Sequence, residues 1–239
     1  MLSGWSFADR LPPYGGGRGR GLRPIIMNKI SFNNVLPAVF KGQQMQSEIW
    51  QTEAIFEKGK TYLVLADSGK GKSTFCSYVL GYRSDYEGSI LFDSENVKGY
   101  SVDKWCNLRR TTISHLFQEL RLFPELTAME NVQIKNTLSG HKTEAEILEW
   151  FKRLGIEDKV DTKIAFMSFG QQQRVAMMRA LVQPFDFLLV DEPISHLDDT
   201  NSAIMADIMM TEAKRQGAGV IVTSIGKHMN IEYDRKVKL

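Results

Sequence analysis

Cysteine is scarce: only Cys76 and Cys106 occur in 239 residues, without CxxC or Cys/His spacing, which argues against a disulfide framework and against a zinc site. A reducing cytoplasm fits that usage. Long apolar runs are also missing, the longest being strand-sized stretches such as Phe187 to Val190, against the roughly 20 residues that cross a bilayer. The chain is therefore not expected to span a membrane by itself. Charge of one sign is lacking too: the formal net charge of +2 provides no global attraction to nucleic acid or anionic lipid. At the N-terminus, Gly15 to Gly21 reads GGGRGRG, with no apolar stretch that would make a secretory signal. Residues 1–26 read as disordered. Residues 1–27 form either an extension or an artefactual start, with Met27 as the alternative first residue. An RNA-binding arginine/glycine tail is the other reading of this stretch. No internal repeat is visible.

What is present is a 43% hydrophobic chain of a length that buries one sizeable core. Short β-rich apolar runs at Thr61 to Ala66, Ser89 to Phe92, Thr112 to Phe117, Phe187 to Val190 and Gly219 to Thr223 alternate with helix-period segments. That alternation predicts an α/β sheet of buried, largely parallel strands, and the run NKISF after Met27 adds a further strand-like stretch. From about Glu119 to Phe166 the strand signal disappears. There Ile147, Trp150, Phe151 and Leu154 fall on one face of a predicted helix, with Thr143 and Glu146 as its capping box and Gly155 as its stop.

After the strand ending at Ala66 come Asp67, Ser68, Gly69, Lys70, Gly71, Lys72, Ser73 and Thr74, and then a helix-compatible run through Tyr78, Val79 and Leu80. Strand, glycine loop and helix follow in the order of a phosphate-binding P-loop. Backbone N–H groups of such a loop and of the helix N-terminus cradle the β- and γ-phosphates of a nucleotide. Lys72 would add a point charge there, and the Ser73 hydroxyl would ligate Mg²⁺. Ala66 stands where the pattern has its first glycine, so the position must keep an extended conformation.

Farther on, Phe187 to Val190 leads into adjacent acids, Asp191 and Glu192. Consecutive strand side chains point to opposite faces, so the two can divide the work. Asp191 suits the magnesium shell, and Glu192 could polarise the water that attacks the γ-phosphate.

With these residues in place, the chain from about Asn28 to Leu239 resembles ATP-binding cassette (ABC) ATPases. Met167, Ser168, Phe169, Gly170 and Gln171, continuing as QQRVAMMRAL, look like the family's signature and its helix, which Val175, Met178, Leu181 and Val182 would pack. Leu116, Phe117, Gln118 and Glu119, followed by LRLFPELTAMENV, resemble the Q-loop, especially in the lipoprotein-release and macrolide-export branch. Ser195, His196, Leu197 and Asp198 match the D-loop, with His196 in place of a small residue. The resemblance implies a P-loop NTPase core with a mainly parallel central sheet, an antiparallel β subdomain and an α-helical subdomain inserted at about 119–166, residues 28–239 forming one ATPase domain. It implies Mg²⁺ with ATP as substrate and Gln118 reaching both magnesium and the attacking water. It also implies a homodimer or paired cassette in which Ser168, Gly170 and Gln171 of one subunit complete the phosphate site of the other, with Ser195 and Asp198 at the dimer contact. Phe40 is the best match for the adenine-stacking aromatic, or else a core strand residue.

The same resemblance implies a separate integral membrane permease as partner, no nucleic acid, and a cytoplasmic protein peripheral on the membrane's cytoplasmic face. One departure touches the chemistry. Ser224 stands where the family usually has a histidine that contacts the γ-phosphate, and serine cannot become cationic. Slow hydrolysis is the implication, unless His228 bends back. Two functions thus remain: a transport motor, or an ATP-dependent dimerisation switch or scaffold with weak turnover. A nucleic-acid or ribosome-acting ABC protein would usually carry tandem cassettes or a coiled-coil insertion, and neither is visible.

Overall fold

In the computed structural model, residues 26–43, 45–67, 69–193, 199–226 and 228–239 are described. Two sheets carry the fold. The first is antiparallel, in the order β2-β1-β4-β5, from β1 (Lys29–Pro37), β2 (Glu53–Glu57), β4 (Tyr86–Phe92) and β5 (Glu95–Asn96). The second is parallel at every pairing, in the order β6-β7-β8-β3-β9, from β3 (Thr61–Leu65), β6 (Ile113–Leu116), β7 (Phe187–Asp191), β8 (Gly219–Ser224) and β9 (Arg235–Lys238).

The inner parallel strands β7 and β8 are largely apolar without alternation because both their faces are covered. Every residue of β7 and β8 is buried. Alternate side chains enter two cores: Leu188, Val190, Val220 and Val222 join one, Phe187, Leu189 and Ile221 the other. The first core is closed by α3 (Ala128–Asn136), α4 (Glu144–Arg153), α5 (Phe169–Leu181) and α6 (Asp199–Gln216). The second is closed by α1 (Lys72–Val79) and the antiparallel sheet, and α2 (Val102–Thr111) adds Leu108 to it.

Between Glu119 and Phe166 lie α3, α4 and two short 3-10 turns, with one isolated bridge, Thr127 to Lys163. Ile147, Trp150, Phe151 and Leu154 are buried, Thr143 and Glu146 form the capping box, and Gly155 takes a left-handed φ of 62° with its N–H on Lys152 O. A second capping box, Thr127 with Glu130, starts α3. This helical stretch is tied to α6 by a buried charge cluster. Lys142 Nζ lies 2.9 Å from Glu212 Oε2, while Arg215 and Gln216 donate to Glu212 Oε1 at 2.7 and 2.8 Å.

Candidate nucleotide site

The loop after β3 turns on two glycines in left-handed conformation, Gly69 at φ 79° and Gly71 at φ 102°. Gly71 has a second constraint: a Cβ there would lie 2.9 Å from Phe40 Cε2 and 3.3 Å from Trp50 Nε1. Trp50 also donates from Nε1 to Lys70 O at 3.4 Å, so these two aromatics shape the loop from below. Ala66 keeps the extended course that its Cβ requires. Its N–H continues the ladder to Ser224 O at 3.1 Å, and it is not among the residues with positive φ. Gly71 is then the N-cap of α1 and brings no side chain to its N-terminal N–H groups. A helix start of this kind presents donors and a positive dipole end to an anion.

Lys72, Ser73 and Thr74 of α1 meet Gln118 and Glu192 around a cavity of about 380 Å³. A neighbouring cavity of about 800 Å³ is lined by Ala66, Asp67, Gly69 and Lys70, and Phe40 borders both. Both volumes fall in the range of small-molecule sites, about 300–1,000 Å³. Phe40 is not on a strand. It ends the 3-10 turn Ala38–Phe40, 7% exposed, and packs in the core while presenting part of its ring to the cavities.

Lys72 Nζ is 3.1 Å from Glu192 Oε1, and Gln118 Nε2 donates to Glu192 Oε2 at 3.3 Å. The two acids diverge for a reason different from strand alternation. β7 ends at Asp191, and Glu192 enters the left-handed region at φ 47°, which swings its carboxylate over Lys72. Such a φ costs a non-glycine residue about 1–2 kcal/mol. Asp191 stays buried and accepts a hydrogen bond from the Thr223 hydroxyl. Burial raises its carboxyl above the ordinary value, a shift that the Thr223 bond opposes. Sequence reading missed Thr223, because its role depends on the β7–β8 register, which sets it beside Asp191.

The chemistry of Ser73, Gln118 and Asp191 fits a magnesium ion, since each offers an oxygen and magnesium prefers hard oxygen donors. Ser224 is 1% exposed and its Oγ accepts the Gly226 N–H at 3.0 Å; the exposed Ile225, rather than Ser224, borders the cavity. His228 does not bend back. Its Nδ1 lies 2.8 Å from Gly226 O, its ring packs on Tyr233, and it lines a separate cavity with Met210 and Asn230.

Ser168 is the N-cap of α5. Its Oγ accepts the Gln171 N–H at 3.3 Å, and Gln171 Oε1 accepts the Ser168 N–H at 2.9 Å. Phe166 and Phe169, 80% and 44% exposed, flank this end, and Gly170 is half-buried. From α5, Gln173 Nε2 donates to Pro193 O, and Arg179 donates to Leu120 O and, at 2.7 Å, to Arg121 O. Those carbonyls belong to the loop just after Gln118, where Leu120 and Arg121 both have positive φ. Ser68, Ser195, His196, Leu197 and Asp198, and residues 1–25, lie outside the described residues.

The model of the family described as ABC transporter matches residues 51–195, more than half of the chain. The chain belongs to the ABC transporter family. Among curated relatives of this cassette, the lipoprotein-releasing system ATP-binding protein LolD of Nitrobacter hamburgensis is 31% identical over 184 residues, which cover 76% of this chain and 79% of LolD. Among solved structures, the dimeric bacterial ABC transporter cassette MJ0796 superposes with a TM-score of 0.70 at 27% identity, over 82% of this chain and 88% of that one. A dimeric post-hydrolysis state of MJ0796 bound to ADP and Pi gives 0.69 at 26% identity, over 82% and 87%. The P-loop NTPase fold and the ABC ATPase class implied by the resemblance therefore hold for this cassette. No helix among the described residues is long and apolar enough to cross a membrane.

Proposed function

We propose that this chain is the ATP-binding and hydrolysing subunit that powers a membrane ABC transporter through ATP-driven dimer closure. The observation that carries the reading is the convergence of Lys72, Ser73, Gln118 and Glu192 around one cavity at the mouth of a left-handed glycine loop. In this reading the loop from Ala66 through Thr74 holds the phosphates by its N–H groups, with Lys72 as counter-charge. Phe40, at the border of both cavities, stacks on the adenine. Ser73, Gln118 and Asp191 hold Mg²⁺, which when bound neutralises charge on the phosphate oxygens. Glu192 orients the attacking water and takes its proton. MJ0796 is described as dimeric, and the exposed N-terminus of α5 supports a like arrangement here. Ser168, Gly170 and Gln171 then face the partner's nucleotide, and Ser195 and Asp198 lie at the subunit contact. A separate integral permease couples the closure to transport, which places the cassette on the cytoplasmic face of the membrane.

The test uses Glu192→Gln protein. It should dimerise and retain ATP, and wild-type protein should co-purify from membranes with an integral partner. A Glu192→Gln protein that stays monomeric with ATP overturns the motor reading.

A second reading, an ATP-dependent dimerisation switch with weak hydrolysis, is favoured by one observation: the Ser224 hydroxyl is buried and bonded to the Gly226 N–H. Turnover on the scale of about 1 per second or more, abolished by Lys72→Ala, excludes it.

A further inference from the structure

Three side chains that lie far apart in the sequence meet on the α1 face of the parallel sheet. Cys76 lies on α1, His115 on β6 and Asp191 at the end of β7. The register pairs His115 with Leu189, two residues before Asp191, so His115 and Asp191 project to the same face. α1 covers that face and brings Cys76 down onto them. One ligand atom from each residue, a thiol sulfur, an imidazole nitrogen and a carboxylate oxygen, lies within 4.8 Å of the other two.

A second observation points at the same place. Both ring nitrogens of His115 are shut off from solvent, and neither has a hydrogen-bond partner among the described residues. A buried imidazole without a partner carries an uncompensated desolvation cost. A metal ion bound to one nitrogen offsets it. Its ring packs on Phe117, with the centroids 4.1 Å apart. The Thr223 hydroxyl already orients the Asp191 carboxylate, as a hydrogen bond behind a metal ligand does.

We propose that Cys76, His115 and Asp191 form a binding site for a divalent ion of the zinc class, and that its occupation withdraws Asp191 from the nucleotide site. The donor set is one thiolate, one imidazole and one carboxylate, which suits zinc or cobalt and not magnesium. Ligand atoms around tetrahedral zinc stand about 3.5 Å apart, so the three groups close on the ion by side-chain rotation. The fourth position is left for water. Cys76 enters as a thiol and releases its proton to solvent as the sulfur–metal bond forms. Local spacing in the sequence argued against zinc because these ligands come from three separate elements.

The binding test is independent of ATP hydrolysis. Cobalt is titrated into the full chain carrying Cys106→Ser, which removes the exposed thiol. One equivalent should bind per chain, with a thiolate-to-cobalt charge-transfer band in the near ultraviolet, a tetrahedral visible spectrum, and displacement by zinc. Cys76→Ala and His115→Leu, each in that background and each checked for native circular dichroism and ATP binding, should weaken binding at least about 100-fold. Cys76→Ser should lose the thiolate band while the fold is kept. Absence of the thiolate band in the parent, or equal affinity in parent and folded variants, overturns the site. The inhibitory consequence rests on the proposed role of Asp191 in hydrolysis and has its own readout. Micromolar zinc in excess Mg·ATP should lower turnover of the parent at least about tenfold and leave Cys76→Ala and His115→Leu unaffected. Tight thiolate-liganded binding with unchanged turnover overturns the inhibition and leaves the site standing.

Discussion

Lys72 Nζ sits 3.1 Å from Glu192 Oε1 in a pair whose side chains are each only about a tenth exposed. Glu192 therefore occupies the cation that an incoming phosphate would need, and the two anions compete for it. Glu192→Gln removes the competitor and keeps the shape. ATP affinity, read by fluorescence or calorimetry, should rise several-fold, while phosphate release falls about 100-fold or more with the loss of the proposed general base. Lys72→Ala should lose both binding and turnover.

Gly69 and Gly71 both have left-handed φ, but only Gly71 is also crowded, with Phe40 and Trp50 against the position of a Cβ. Gly69→Ala should cost about 1–2 kcal/mol, the backbone strain alone. Gly71→Ala must in addition displace an aromatic ring. It should therefore lower the melting temperature further and weaken nucleotide binding at least about tenfold. Thermal unfolding and ATP titration of the two variants check the ranking.

The Thr223 hydroxyl is the bond that opposes the burial-driven rise of the Asp191 pKa. Thr223→Val removes that bond at nearly constant volume. The carboxyl should then hold its proton to higher pH, and the acid limb of the pH profile of Mg·ATP hydrolysis should move upward. An unmoved acid limb would show that ionised Asp191 is not required in turnover.

Glu212 is buried, which by itself would raise its pKa, yet Arg215 and Lys142 reverse this and hold it at about 2 against an ordinary 4.5. A lowered carboxyl pKa stabilises the fold fully above about 4.5, and the contribution is lost as pH falls toward about 2. Glu212→Gln should melt well below wild type at pH 7, and the gap should narrow on acidification through this window.

Legibility from sequence followed burial. β3, β7 and β8 were readable because strands covered on both faces are largely apolar, and α4 because its capping box and four-residue stripe are local. β9 was not readable: three of the four residues in Arg235–Lys238 are exposed, and only Val237 records its pairing with β3. Tyr86 to Gly88 were missed at the start of β4 for a like reason, since only Tyr86 is buried there. In the site, the loop around Lys72 and the acids at 191 and 192 were visible as local patterns. Thr223, Trp50 and the left-handed turn at Glu192 were not, since each depends on partners far away in the chain. The same blindness hid the meeting of Cys76 with His115.

Arg179 gives one guanidinium to two successive peptide carbonyls, Leu120 and Arg121, and burial lowers its pKa to about 10. Its anchor is the helix that begins at Ser168, and its load is the bend that follows Gln118. The two surfaces that sense a phosphate in this reading, one in its own subunit and one in the partner's, are thus ends of a single lever. Separating them would break charged hydrogen bonds of about 1.5–3 kcal/mol each.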